Sequence, residues 1–405
     1  MRITHIECHV LVQPAYDVTA ASSAQDDIVV EVHTDEGLVG VGETDVNPWI
    51  AQACITAPGT HNMGLGLTEL LVGADPLEVE GLWERMYVGT AMNGRRGAVI
   101  NAIGALDIAL HDLRGKALGK PCHALLGGAV RDHVTPYASL QPETSSFAEF
   151  RDSMVEWARR AVAAGFRAVK AEVTLDGPYA HNGLREPWER GTELLAAVRA
   201  AIGPGVALLV DVQYAFPDAD TALRVLADWE GLDLFFVETP LWPDDLDGYR
   251  RLAEEQPIPI AAGEWLTTRF EHLDLMRRGG IAIAQPDIGR VGGLTEARRV
   301  CDAAAEHGVR IVPHLWKTGI SIAAAAHLAA VTPHCDYIEF LPAELSESGL
   351  RKDLTSDELQ MVDGVIPLPT RPGLGVELDR DALEAYAEDV RAARQIKGGI
   401  PVKPA

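Results

Sequence analysis

One pattern of apolar and polar positions repeats along the middle of the chain. A mostly apolar run of four to six residues ends in a side chain able to bind metal or move a proton, and a segment of helical periodicity follows. The runs beginning at 206, 234, 258, 281, 309 and 335 end at Asp211, Glu238, Glu264, Asp287, His314 and Glu339, spaced 23 to 27 positions apart. Parallel strands buried on both faces read as continuous apolar runs, and strands alternating with helices at this spacing are parallel βα units. In a (β/α)8 barrel every strand points the same way. The six closing residues would then gather on the face where such barrels keep their active sites.

Two earlier strands complete the count. The first covers 134–139. The second covers 166–169 and runs into Lys170-Ala171-Glu172, where alternation puts Lys170 and Glu172 on one side. Ser145 is placed to cap the helix between them, and Gly165 to end it. The loop 174–186 is long for a βα connection and carries Tyr179, His181 and Arg185. Ahead of the barrel, 3–12, 27–33 and 38–43 read as strands, the last two joined by the turn Thr34-Asp35-Glu36-Gly37. The small, polar stretch 14–25 between the first two is a mobile lid or an inert surface loop. Helical segments follow at 67–72, 76–87 and 98–116, the last with Ile103, Leu106, Leu110 and Leu113 on one face and stopped by Gly119 and Pro121.

The predicted organisation is therefore an α+β capping domain over 1–125 and a modified (β/α)8 TIM-type barrel of the α/β class over 126–341. A Pro/Gly-rich segment over 342–405, with a last helix at 380–394, is expected to pack back on the capping domain. The 405-residue length suits a barrel of about 250 residues and one further domain. No run of 18 apolar residues is present. The N-terminus enters a strand pattern at once, without an apolar signal segment. Five scattered cysteines have neither metal spacing nor an even framework. These features predict a cytoplasmic protein. With 35 basic and 59 acidic residues the net charge is −24, which weighs against nucleic acid and membrane partners. A small anionic substrate would have to find its positive charge locally.

Asp211, Glu238 and Glu264 end three successive strands. Neighbouring strands lie about 4.8 Å apart, so the carboxylates converge and repel, and a divalent cation relieves the repulsion. All-oxygen donors favour Mg2+, with Mn2+ as a substitute, and no thiolate or histidine pair is at hand to recruit zinc. Asp287 ends the strand beside His314. A carboxylate there fixes the imidazole tautomer and raises its basicity, as a general base needs; a core histidine bonded to a structural carboxylate is the plainer reading. Lys170 faces the same space from the other side and can hold a carboxylate or act on a proton. Glu172 is open to three roles: acid, orienting partner, or ion-pair partner of Lys170. Metal, cation and imidazole together suit removal of a proton from the carbon next to a carboxylate.

The chain resembles the enolase superfamily, specifically its mandelate racemase-like subgroup. The resemblance runs over almost the whole length. It is carried by Val210-Asp211-Val212-Gln213, Val237-Glu238-Thr239-Pro240-Leu241, Ala262-Gly263-Glu264, Gln285-Pro286-Asp287-Ile288-Gly289-Arg290 and Val312-Pro313-His314, and outside the barrel by His111-Asp112-Leu113-Arg114-Gly115-Lys116 and Leu125-Leu126-Gly127-Gly128. It implies one Mg2+ per subunit on Asp211, Glu238 and Glu264, a catalytic His314–Asp287 dyad, Glu339 near the substrate carboxylate, and a homo-oligomer. Asp287 with His314, and no lysine on the sixth strand, separates the chain from the muconate-cycloisomerase-like branch. One departure bears on the reaction. The subgroup often has Lys-x-Lys on the second strand, with the second lysine as a base opposite the histidine, and here that position is Glu172. A two-base racemase wants strong bases on both faces of the α-carbon, whereas a dehydratase can work with one histidine. The expected activity is dehydration of an acid sugar, an aldonate or aldarate, to a 2-keto-3-deoxy acid. Racemisation, epimerisation or lactone cycloisomerisation on the same scaffold stays open, and a barrel that only binds is a distant alternative.

Overall fold

The computed structural model describes residues 1–14, 24–142, 144, 146–180, 184–340, 343, 346 and 348–393. Most of the expected lid (15–23), Ser145, His181 and Arg394 lie outside these residues. Three antiparallel strands open the chain: β1 (Ile3–Val12), β2 (Asp26–Thr34) and β3 (Val39–Thr44), in the order β1-β2-β3. The turn between β2 and β3 closes with Gly37 at φ 78°, a conformation that costs glycine nothing. Helices α1 (Pro48–Thr56), α2 (Leu67–Leu71), α3 (Val79–Gly89) and α4 (Ala98–Leu118) follow. The α1 helix is absent from the sequence expectation. Its start is set by Asn47, whose side chain accepts from the amides of Trp49 and Ile50. The α3 helix begins three residues later than the expected 76.

The α4 helix is buried nearly all round, not on one face. On one side Gly40 and Gly42 of β3 come so close that an added Cβ would sit 2.1 Å from the carbonyl oxygens of Ala109 and Ala105. On the other side Asp107 accepts from the Thr295 hydroxyl at 2.6 Å and the Thr295 amide at 2.9 Å, and His111 bonds the same hydroxyl at 2.9 Å. The polar residues that break the periodicity are thus the contacts to the barrel.

Eight parallel strands form that barrel: β4 (Pro136–Leu140), β5 (Ala168–Glu172), β6 (Ala207–Asp211), β7 (Leu234–Glu238), β8 (Ile260–Ala262), β9 (Ile283–Ala284), β10 (Arg310–Ile311) and β11 (Ile338–Phe340). They pair in chain order, and β11 pairs with β4. The ring closes through Ile311, whose amide donates to His334 and whose carbonyl accepts from Asp336. The helix between β4 and β5, Phe147–Ala163, is capped by Ser146, whose hydroxyl accepts from the Glu149 amide. A terminal helix, Arg380–Ala393, lies against β1, and Arg380 pairs with Glu31 of β2 at 2.7 and 2.8 Å. None of the described helices is long and apolar enough to cross a membrane.

An inner apolar layer explains where the polar groups go. Tyr137, Ala168, Leu209, Phe236, Ala261, Ile283 and Val312, each from a different strand or its extension, pack together inside the barrel. Side chains alternate along a strand, so the residues two positions on, Lys170, Asp211, Glu238 and His314, point into the same interior one layer higher. Glu264 breaks this parity, standing three positions beyond Ala261. Gly263 between them has φ 122°, a backbone that turns the chain and that a side chain would resist.

Candidate active site

The strand-end groups are all buried, none more than 6% exposed. Lys170 lies between two carboxylates, 3.0 Å from both oxygens of Glu238 and 2.8 Å from Glu339. Its ammonium also stands over the Tyr137 ring at 5.4 Å. Burial lowers its proton affinity, but Glu238 and Glu339 hold it well above the usual lysine range. Glu172 pairs with Gln141 at 2.6 Å and not with Lys170. Burial, with the charge of Asp211 next, raises the Glu172 carboxyl well above the ordinary range.

Asp211 is oriented by the Gln213 amide at 2.8 Å and the Thr239 hydroxyl at 2.7 Å. Gln213, Tyr214 and Thr239 have φ of 43°, 57° and 47°. Such left-handed backbone is costly for non-glycine residues and here sets the turns that aim these donors. Burial pushes Asp211 up to about 6 and Glu238 up to about 8, in each case against the pull of Lys170. Glu264 is raised by burial but brought down to about 2 by His314, 3.0 Å from its carboxylate, and by Arg290 at 3.4 Å. His314 receives Asp287 at Nδ1, 2.8 Å away. Burial lowers its proton affinity, yet Glu264 and Asp287 hold the ring well above 6.5. Glu339 also accepts from the Leu315 amide at 3.0 Å, which fixes the backbone beside His314.

Asp211, Glu238 and Glu264 line one end of the barrel, but their ligand atoms are not all within 4.8 Å of one another. Among the described residues the group at this end that meets that spacing is Asp45, Asp287 and His314. Lys170 pairs with Glu238, while His314 and Arg290 pair with Glu264. The Asp45 group is already neutralised, since Asp45 pairs with Arg290 and, at 3.1 Å, with Lys317. Burial raises Asp45, but those two cations bring it down to about 2. By donor chemistry the three strand-end carboxylates fit a hard divalent cation better. Two of them have raised proton affinity in a buried site crowded with negative charge, which a metal ion would relieve in place of protons.

Sequence reasoning did not assign Asp45, Arg290, Lys317 or Gln141. Arg290 stood inside a quoted motif without a role. Asp45 belongs to the capping domain, and nothing in a one-dimensional pattern places it beside residues some 240 positions on. Trp242 and Trp265, which follow two of the acids and are exposed, pack with buried Tyr214, with ring centroids 4.1 to 5.7 Å apart.

Comparison with known proteins places this geometry. Residues 3–127 match the mandelate racemase/muconate lactonizing enzyme N-terminal domain, and residues 153–382 match the enolase C-terminal domain-like family. The chain belongs to the mandelate racemase/muconate lactonizing enzyme family. It is therefore an enzyme of the enolase superfamily. D-galactarolactone cycloisomerase of Agrobacterium fabrum is 33% identical over 393 residues, covering 95% of this chain and 97% of that protein. D-xylonate dehydratase of Haloferax volcanii is 31% identical over 367 residues, covering 89% and 85%. A racemase from Streptomyces coelicolor A3(2), solved with bound magnesium, superimposes with a TM-score of 0.80 at 26% identity, covering 95% of this chain and 99% of that one. The family thus includes lyases and isomerases.

Proposed function

We propose that the protein is a Mg2+-dependent acid-sugar dehydratase that converts an aldonate or aldarate into a 2-keto-3-deoxy acid. The observation that carries this reading is an asymmetry of bases. His314 is braced at Nδ1 by Asp287, 2.8 Å away, while on the other side Lys170 faces Glu339 at 2.8 Å and Glu172, hydrogen-bonded to Gln141, stands where the subgroup often has a second lysine. One strong base suits elimination better than racemisation.

Asp211, Glu238 and Glu264 would hold the ion, and Mg2+ bound there would supply positive charge to the substrate carboxylate as negative charge builds on it. His314 Nε2 removes the α-proton, and Asp287 at Nδ1 stabilises the resulting imidazolium. The same Nε2 then protonates the β-hydroxyl as it departs as water on the same face, and the enol left behind tautomerises to the 2-keto acid. Lys170 binds the substrate carboxylate, and Glu339 orients Lys170. This reading entails a small anionic substrate; a cytoplasmic setting and a homo-oligomer are proposed alongside it.

Incubation with a panel of aldonates and aldarates plus Mg2+, scored for 2-keto-3-deoxy product, tests it. His314→Asn should lower turnover by about 10²–10⁴ while Mg2+ binding persists. The Agrobacterium relative, matched over 95% of the chain, favours a second reading, lactone cycloisomerisation. Consumption of a sugar lactone with α-proton exchange into D2O and no keto product would select it.

A further inference from the structure

The imidazole pair that the catalytic end lacks is present elsewhere. On β1, His5, Glu7 and His9 alternate onto one face, and in the β1–β2 register His5 stands opposite His33 and Glu7 opposite Glu31. The other face of β1, through Ile6 and Cys8, packs on the capping-domain core. Near its far end the outer face is occupied: Arg380 takes both oxygens of Glu31, and His9 bonds Glu31 at 2.9 Å. The near end is open. There His5 is 55% and Glu7 48% exposed, and no lysine or arginine pairs with Glu7 among the described residues.

We propose that His5, His33 and Glu7 form a surface binding site for a first-row transition metal of the zinc type, separate from the barrel. One ligand atom from each lies within 4.8 Å of the others. The Nε2 atoms of His5 and His33 are 3.5 and 3.9 Å from the Glu7 carboxylate, too long for good hydrogen bonds. A tetrahedral zinc ion with bonds of about 2.0–2.1 Å sets neighbouring ligand atoms roughly 3.3 Å apart; the two rings are stacked, with centroids 4.2 Å apart and planes 11° from parallel, so the exposed His5 ring must turn for both Nε2 lone pairs to meet one ion. His33 Nε2 is sealed from solvent and has no hydrogen-bond partner. The Thr4 hydroxyl lies 3.0 Å from His5 Nδ1 and 3.2 Å from the His33 carbonyl, so the second ring nitrogen of His5 has a hydrogen-bond partner, as metal-binding histidines do. Two imidazoles and one carboxylate match Zn2+, Co2+ or Ni2+ and suit Mg2+ poorly. Occupied, the site would tie edge strand β1 to β2.

The test is calorimetric titration of the untagged full chain with Zn2+ in saturating Mg2+, which keeps the barrel carboxylates occupied. The expected result is one Zn2+ per chain, weakened at least tenfold in H5A/H33A and in E7Q. A control variant, H133A, which removes a surface imidazole paired with Asp132 elsewhere, should bind as wild type does. Zn2+ should raise the melting temperature of the wild type and leave that of H5A/H33A unmoved. Crystals grown with Zn2+ should show an anomalous peak between His5 and His33. Absence of Zn2+ binding by the wild type, or undiminished binding by folded H5A/H33A, overturns the proposal. Should that double variant not fold, undiminished binding by E7Q does the same.

Discussion

Replacing Glu43 by alanine removes the carboxylate with which the capping domain caps a barrel helix. Glu43 lies near the end of β3 and is fully buried. One oxygen accepts from the amides of Thr318 and Ser321 at 3.1 and 2.8 Å, and the other from the Thr318 hydroxyl at 2.7 Å. Thr318 and Ser321 start the helix Gly319–Ala330, which is buried along almost its whole length. A hydrogen bond to a charged acceptor contributes about 1.5–3 kcal/mol, and a buried donor left unpaired costs about 1–3 kcal/mol. These terms overlap, and a negative charge at a helix N-terminus adds up to ~2 kcal/mol. One effect opposes them: Asp27, raised by burial and then by the charge of Glu43, loses a repelling neighbour. The net loss for Glu43→Ala is about 3–5 kcal/mol, and Glu43→Gln, which keeps one acceptor, loses roughly half of that. In thermal melts the alanine variant should drop by on the order of 4–6 °C. Turnover should fall with it, because the chain from His314 to Thr318 loses its anchor. A melt within a degree or two of wild type for Glu43→Ala would refute the claim that this contact couples the domains.

Further outcomes follow from other contacts. Gly40→Ala drives a Cβ to 2.1 Å from the Ala109 carbonyl and should leave little soluble, folded protein, seen as loss of the cooperative melt. Lys170→Met leaves Glu238 and Glu339 buried without their cation; it should cost about 3–5 kcal/mol in denaturant titrations and abolish turnover. The Glu31 carboxyl is raised by burial but brought down to about 2 by its bonds to His9 and Arg380. Its folded pKa lies below its unfolded one, so its contribution is full above about pH 4.5 and is lost as pH falls toward 2. The stability gap between wild type and Arg380→Ala should therefore be largest at neutral pH and shrink across that window, read by circular dichroism.

How far the chain could be read in one dimension differs from residue to residue. Asp211, Glu238 and His314 were legible because each ends an apolar run, and a parallel strand admits no other reading of such a run. Lys170 and Glu172 followed from period-two alternation alone. Glu264 followed from the run as well, although its inward aim depends on Gly263 reversing the parity, which no pattern of hydrophobicity records. The α1 helix was missed because its nine residues lack a polar face clear enough to register, and its start rests on a single asparagine. The α4 helix was found but read as one-sided, because sequence periodicity detects one partner and this helix has two.

The sequence by itself determined the barrel, the order of its strand-end groups and the family, since all three rest on local periodicity and on motifs contiguous in the chain. Tertiary structure alone decided which charge neutralises which: Lys170 with Glu238 and Glu339, Arg290 with Asp45, Glu43 with the helix after Thr318. Those pairings join residues up to 278 positions apart. They depend on distances of about 3 Å that only a closed ring of strands with a domain packed against it can set, because a Coulomb interaction depends on separation in space and not on position along the chain.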